Sequence, residues 1–182
     1  MRYLNPILTA GLLTLAMSAA NASSAALVDV TGSQHTDITA TVSEQVVLDV
    51  PTTAAFTVDN VNSSAATSAL NVTASYIVLT DGNALKISLK PAAAAFNGPV
   101  GSTHNLSAAN VSWNAPAWTG GTGAANALQA DLSAAEVATS TANAPTLSTT
   151  GLVLTLASDN AIDRAGDYSL RANWMVESVV AP

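Results

Sequence analysis

The chain reads as an all-β protein, an antiparallel β-sandwich that follows a cleaved signal peptide, and three observations predict it. Apolar residues recur at every second position in several short runs, the period of a strand with one face buried. Those runs are bounded by Gly, Pro, Asn and Asp, the residues of turns. The 182 residues are 49% hydrophobic and only 9% charged, which is too apolar for a disordered stalk.

The first 22 residues lie outside that fold. Arg2 supplies a small positive start, Ile7 to Met17 form an apolar stretch, and Ala20-Asn21-Ala22 offers the small residues a signal peptidase reads, with cleavage before Ser23. A membrane-spanning helix needs about 20 apolar residues, and this stretch is shorter. No second run of that length follows, so no transmembrane anchor is expected. The expected location is the secreted or cell-surface compartment of a bacterium, reached through the periplasm where there are two membranes. Residues 23–36 then read as an extended N-terminal segment or first strand, and residues 37–182 as the sandwich domain.

Within that domain "DITATV" (37–42) alternates Ile38, Ala40 and Val42, and "QVVLDV" (45–50) follows before Pro51. "AFTVDNV" (55–61) is β-rich in composition. Residues 71–80 and 84–90 flank Asp81-Gly82-Asn83 and predict a hairpin, with Leu85, Ile87 and Leu89 on one face and Pro91 ending the return strand. "NVSW" (110–113) and "GLVLTLAS" (151–158) predict further strands, the second buried on both faces. Residues 133–138 suggest a short helical turn, while 114–127 and 139–151 read as irregular connections. In the last strand Tyr168, Leu170, Ala172, Trp174 and Val176 share one face, after a corner at Gly166 that admits the strand to the centre of a sheet. Tyr168 and Trp174, about 20 Å apart along the strand, would brace the two ends of the core, while the competing reading makes Trp174 part of a ligand-contacting surface. About eight strands without long helices point to a sandwich of the immunoglobulin-like (Ig-like), Greek-key type.

Charge and composition narrow the task. The net charge is −7, one unit more negative once Arg2 leaves with the leader, and the basic residues form no cluster. Phosphate backbones and anionic lipid would repel such a chain, so nucleic acid is not an expected partner. The absence of cysteine removes disulfides, thiol catalysis and thiolate metal sites. His35 and His104 have no acid or base beside them in sequence, and no nucleophile-elbow, zinc-protease or phosphate-loop pattern occurs. A non-enzymatic protein without cofactor is expected. Asp159, Asp163 and Asp167 form the densest acidic stretch, read either as oxygen ligands for Ca²⁺ or as turn and corner chemistry. Trp113 and Trp118, with Asn114 between them near a Gly-rich loop, make a candidate glycan site, since indole faces and amides suit a sugar ring. The competing reading of Trp113 is core.

The ending resembles the C-terminal signature of WxL-type bacterial surface domains, in which Gly-x-Tyr leads into an alternating strand carrying Trp-x-Leu. The matching residues are Gly166, Tyr168, Trp174 and Val176, with Val where that family has Leu. Residues 78–98 are similar to the family's central run, but Asn83, Ala84 and Leu85 stand where its first Trp-x-Leu falls. The resemblance, over residues 40–180, implies an exported, non-enzymatic domain held non-covalently at the cell surface, often through peptidoglycan. The last strand is also similar to those of pilus and spore-coat subunits, where a neighbour's segment completes an open sandwich. Residues 23–33, with Ala26, Val28 and Val30 alternating, fit either such a donor or an ordinary first strand.

The function expected from the sequence is therefore that of a cell-surface structural or adhesive protein, associating with copies of itself, with other surface proteins or with envelope polysaccharide. The alternative is a monomeric glycan- or peptidoglycan-binding module.

Overall fold

Alternate burial along extended segments places the core between two layers of strands. The computed structural model describes residues 38–60, 62–104, 106–158 and 162–182. Its strands are β1 (Gln45–Asp49), β2 (Ser64–Ala66), β3 (Leu70–Val78), β4 (Asn83–Pro91), β5 (Val111–Trp113), β6 (Gly121–Gly123), β7 (Asn126–Ala127), β8 (Ala135–Ser140), β9 (Leu147–Leu152), β10 (Leu154–Ala157) and β11 (Ala172–Val180). A single 3-10 turn, Ala108–Asn110, is the only helical element among the described residues. Residues 41–182 form one compact unit. The expected leader (1–22), residues 23–36 and His35 fall outside the described residues.

The strands form three antiparallel sheets, ordered β1-β3-β9, β2-β10-β5-β7 and β11-β4-β8-β6. Only Val153 separates β9 from β10. Because β3 pairs with β9 while β2 pairs with β10, the first two sheets run on from one another and make one layer. The third sheet is the other layer of the sandwich. Leu85, Ile87 and Leu89 of β4 and Val137 of β8 meet Val72, Ala74, Leu147 and Leu152 in a cysteine-free core, all of them buried. Burial of such side chains, about 1.5–3 kcal/mol each, is what holds the layers together.

Several sequence expectations change in the fold. Residues 71–80 and 84–90 form strands but not a hairpin: β3 lies in one layer and β4 in the other, and the turn between them is an arch. A tight Asp-Gly turn serves either geometry, and the partners decide. Here β4 finds β11 along nine residues and β8 on its other side. Asn143 locks the arch, its side-chain oxygen accepting from the Gly82 N–H at 3.2 Å and its amide donating to Asp81 at 2.8 Å. Residues 133–138 are not a helical turn, because 135–140 are β8, pinned between β4 and β6. The expected loops 114–127 and 139–151 contain β6, β7 and β9. The segment 151–158 buries only one face, with Leu152, Leu154 and Leu156 inward and Thr155 and Ala157 outward. Of 55–61, the described residues make no ladder, although Phe56 and Val58 still pack against the core. Residues 38–44 make no ladder either.

The last strand begins later than expected and lies elsewhere. It starts at Ala172 and forms the edge of its sheet, not the centre. Tyr168 precedes it, in a segment joined to residue 97 by two backbone hydrogen bonds, Asn97 N–H to Ser169 C=O and the reverse, at 2.8 and 2.9 Å. Gly166 forms the corner with φ 146°, where a Cβ would stand 2.6 Å from the Pro99 ring. It is an exposed corner residue, not a core one.

The chain also crosses between layers at Gly120-Gly121. Thr119 bridges Ser148 of β9 in one layer, and Gly121 opens β6 in the other. A Cβ on Gly121 would lie 2.2 Å from the Thr139 carbonyl oxygen and 2.7 Å from Leu147 Cδ1, so no larger residue fits without moving backbone. Gly121→Ala should lower unfolding free energy by about 3 kcal/mol or more, read by urea denaturation. Gly151→Ala, whose Cβ meets nothing closer than 3.8 Å, should change it by less than about 0.5 kcal/mol.

Candidate functional site: an open cleft beside an unpaired strand edge

On the β11 side the two layers do not close on each other. An open cleft of about 1080 Å³ enters the core there, walled by Leu70, Leu89, Phe96, Leu154, Leu156 and Trp174. Residues 51–60 and 162–171, which carry no regular ladder, run along its rim. Tyr168 and Trp174 both line this one cleft and are half-buried against the core. They do not stand at opposite ends of a closed interior.

The lip of the cleft is β11. Among the described residues its only neighbour is β4, matched residue for residue from Ala172↔Pro91 to Val180↔Asn83 without a register shift. Its outer edge therefore presents nine residues of regular backbone, with N–H and C=O groups at every second position unpaired. Met175, Val176 and Val180 are exposed on it. Proteins usually guard such an edge with Lys, Pro, a bulge or shortness. β11 has none of these, and its one charged residue, Glu177, is paired with Lys86 of β4. The other edges are short, bulged or partly covered: β2, β6 and β7 have three residues or fewer, β1 has five with a bulge against β3, and β9 has six and is bridged at Ser148 by Thr119.

That bulge has a visible cause. Tyr76 adopts φ 51°, shifting the register between Gln45↔Val78 and Val47↔Ser75. Ile77 then points into the core and Tyr76 to solvent, the reverse of what strict alternation from Val72 and Ala74 requires.

Two carboxylates fix the frame around the cleft. Asp163 accepts from the Ser102 hydroxyl at 2.6 Å, the Thr103 N–H at 2.9 Å and the Thr103 hydroxyl at 2.8 Å. These donors, Ser102 foremost, hold its carboxyl well below the usual carboxylate range. The Tyr168 hydroxyl donates to the Arg164 carbonyl at 2.9 Å, fastening the same rim segment. Glu44, just before β1, accepts from the Thr80 N–H at 2.7 Å and the Ser178 hydroxyl at 3.2 Å. The Thr80 bond is the main cause of its lowered pKa. Glu44 thereby ties the start of β1 to the arch and to the far end of β11.

The residues singled out from sequence are dispersed. Trp113 is 3% exposed and sits in the core, so it offers no face to a sugar. Trp118 packs half-buried against the core, and its indole nitrogen would be 2.7 Å from a Cβ on Gly123. Both indole N–H groups are buried without a partner. Asn114 is exposed, and the three do not make an open stacking platform. Asp163 is occupied by hydroxyl donors, Asp167 is exposed, and Asp159 falls outside the described residues. Among the described residues no three His, Asp or Glu side chains gather as metal ligands, and no helix is long and apolar enough to cross a membrane. Sequence reasoning missed the cleft itself. Its wall residues Leu154 and Leu156 read as ordinary core, and only the reading of Trp174 as part of a ligand-contacting surface pointed toward it.

No family model, curated protein or solved structure matches the chain.

The Asp163 clasp gives a pH-dependent prediction. Its folded-state pKa is depressed, so its contribution is present above the ordinary Asp value of about 3.9 and is lost as pH falls below that toward the folded value. Asp163→Asn should lower the urea midpoint at neutral pH. The gap from wild type should narrow as pH is taken from about 4 to about 2. An unchanging gap would show that the clasp does not act through the carboxylate's charge.

Proposed function

We propose that this is an exported, non-enzymatic structural or adhesive protein of the bacterial cell surface, associating non-covalently with copies of itself. The observation that carries the reading is the conjunction at β11: a long, regular, unguarded strand edge beside an apolar cleft that leads into the core. An extended segment laid on that edge gains backbone hydrogen bonds, and its alternate side chains enter the cleft. Each apolar side chain transferred from water contributes about 1.5–3 kcal/mol, so a few suffice for stable association. The signal-peptide pattern at residues 1–22 supports export. The hydroxyl-rich, weakly charged composition suits a protein that packs beside its own copies, where like charges would repel. The resemblance to WxL-type domains supports a place at the envelope. It rests on Gly166, Tyr168 and Trp174, residues that here form the corner and one wall of the cleft.

Size-exclusion chromatography with light scattering, followed by electron microscopy, tests this on the exported chain. Assemblies of many copies are expected, growing with protein concentration. They should persist when salt is raised from about 0.05 to about 0.5 M, because apolar burial is not screened. A chain that stays monomeric at every concentration, and whose Trp fluorescence is quenched by peptidoglycan, would replace this reading with the monomeric binding module.

A further inference from the structure

The strongest conflict between local sequence and fold lies just before β1. Residues 38–42, Ile-Thr-Ala-Thr-Val, contain four β-branched residues and an alternating apolar face of Ile38, Ala40 and Val42. Such a run favours a strand. Yet residues 38–44 make no ladder and are all exposed, Ile38 at 91% and Val42 at 71%. A strand-forming segment that exposes its apolar face, in a chain whose longest edge lacks a partner among the described residues, marks two halves of one interaction.

We propose that residues 38–43 of a second copy add to β11 as an antiparallel strand, placing Ile38, Ala40 and Val42 in the cleft against Trp174, Leu89 and Leu156. The choice of a second copy follows from the anchor at Glu44. Its bond to Ser178 sets the root of this arm at the C-terminal end of β11. Residues 41–43 of the same chain, laid back along β11 from that root, would run parallel to it. Every ladder in the described chain is antiparallel, and parallel pairing is the less stable per residue. A second copy is not bound by the root and can approach in the antiparallel sense. The arm and the edge are different surfaces, so the contact is head to tail and propagates into filaments or rings. Residues 23–33 lie outside the described residues, and the arm begins after them.

This inference rests on the self-association reading and is tested separately from it. Because the chain has no cysteine, an introduced pair reports contact without background. A chain carrying Thr41→Cys and Met175→Cys, both outward positions, should give on oxidation a ladder of covalent multiples on a non-reducing gel. Shifted pairs, Thr41→Cys with Asn173→Cys and Thr39→Cys with Asn173→Cys, cover the next two registers toward the cleft. Val100→Cys with Met175→Cys, placed on a fully exposed loop position, sets the yield from random encounter. Cross-linked monomers would make the arm a strand of its own subunit and overturn the proposal, as would a yield no higher than the control in all three pairs.

A second measurement uses Ile38→Ser with Val42→Ser. Both side chains are exposed in the single chain, so its melting temperature should stay within about 2 °C of wild type. The concentration needed for assembly should rise about a hundredfold or more. Wild-type assemblies that form equally well with both serines would refute the arm while leaving self-association intact. A wild type that never assembles removes both.

Discussion

The ladder between β4 and β11 is the interaction on which the rest of the architecture turns. β4 lies inside its layer, with Leu85, Ile87 and Leu89 in the core, and it can serve only two neighbours. One side is taken by β8 and the other by β11 over nine unbroken pairs. Once β4 is committed in this way it cannot also pair with β3, although the two are separated by a four-residue turn. The arch and the separation of β3 and β4 into two layers follow from that exclusion.

The same ladder leaves the sandwich open. β11 covers β4 and has no described strand beyond it, so the core is reached from its side. The rim is not loosely kept. Asp163, Tyr168 and the paired backbones of Asn97 and Ser169 fasten residues 162–171, and Glu44 fastens the other end of β11. A cleft with a fixed frame and an apolar floor would lose little ordering entropy on taking the extended partner proposed above. The long edge stands without the Lys, Pro or bulge that keeps β proteins apart, whereas β1 has its bulge at Tyr76. Guarding one edge and leaving the other regular would give the proposed association a single direction.

Some of this was legible in the residues. Alternation identified β4 and the first half of β11, because a strand with one buried face repeats every two residues whatever its partners, and apolar runs between turn residues identified β1, β3, β5 and β10. It failed at 133–138, where Ala-rich composition suited a helix until β4 and β6 held it extended. It failed at the Gly-rich 114–127, where Gly121 and Gly123 are strand residues for lack of room, not by preference. The candidate glycan residues scattered for a related reason: Trp113 followed the alternation of its strand into the core, and neighbours in sequence on a strand point to opposite sides.

The sequence alone determined the class of structure. A cysteine-free, weakly charged, alternating chain with turn residues at short intervals can bury its apolar faces only by stacking sheets. Which strands became neighbours was decided by tertiary structure, since the Asp81-Gly82 turn is compatible with a hairpin or an arch and only competition for the edges of β4 separates them. The placing of Tyr168 and Trp174 at an open rim, and of Ile38 and Val42 in solvent, was likewise beyond local reading. Periodicity reports that a face is apolar, whereas what covers that face depends on the chain's long-range pairing.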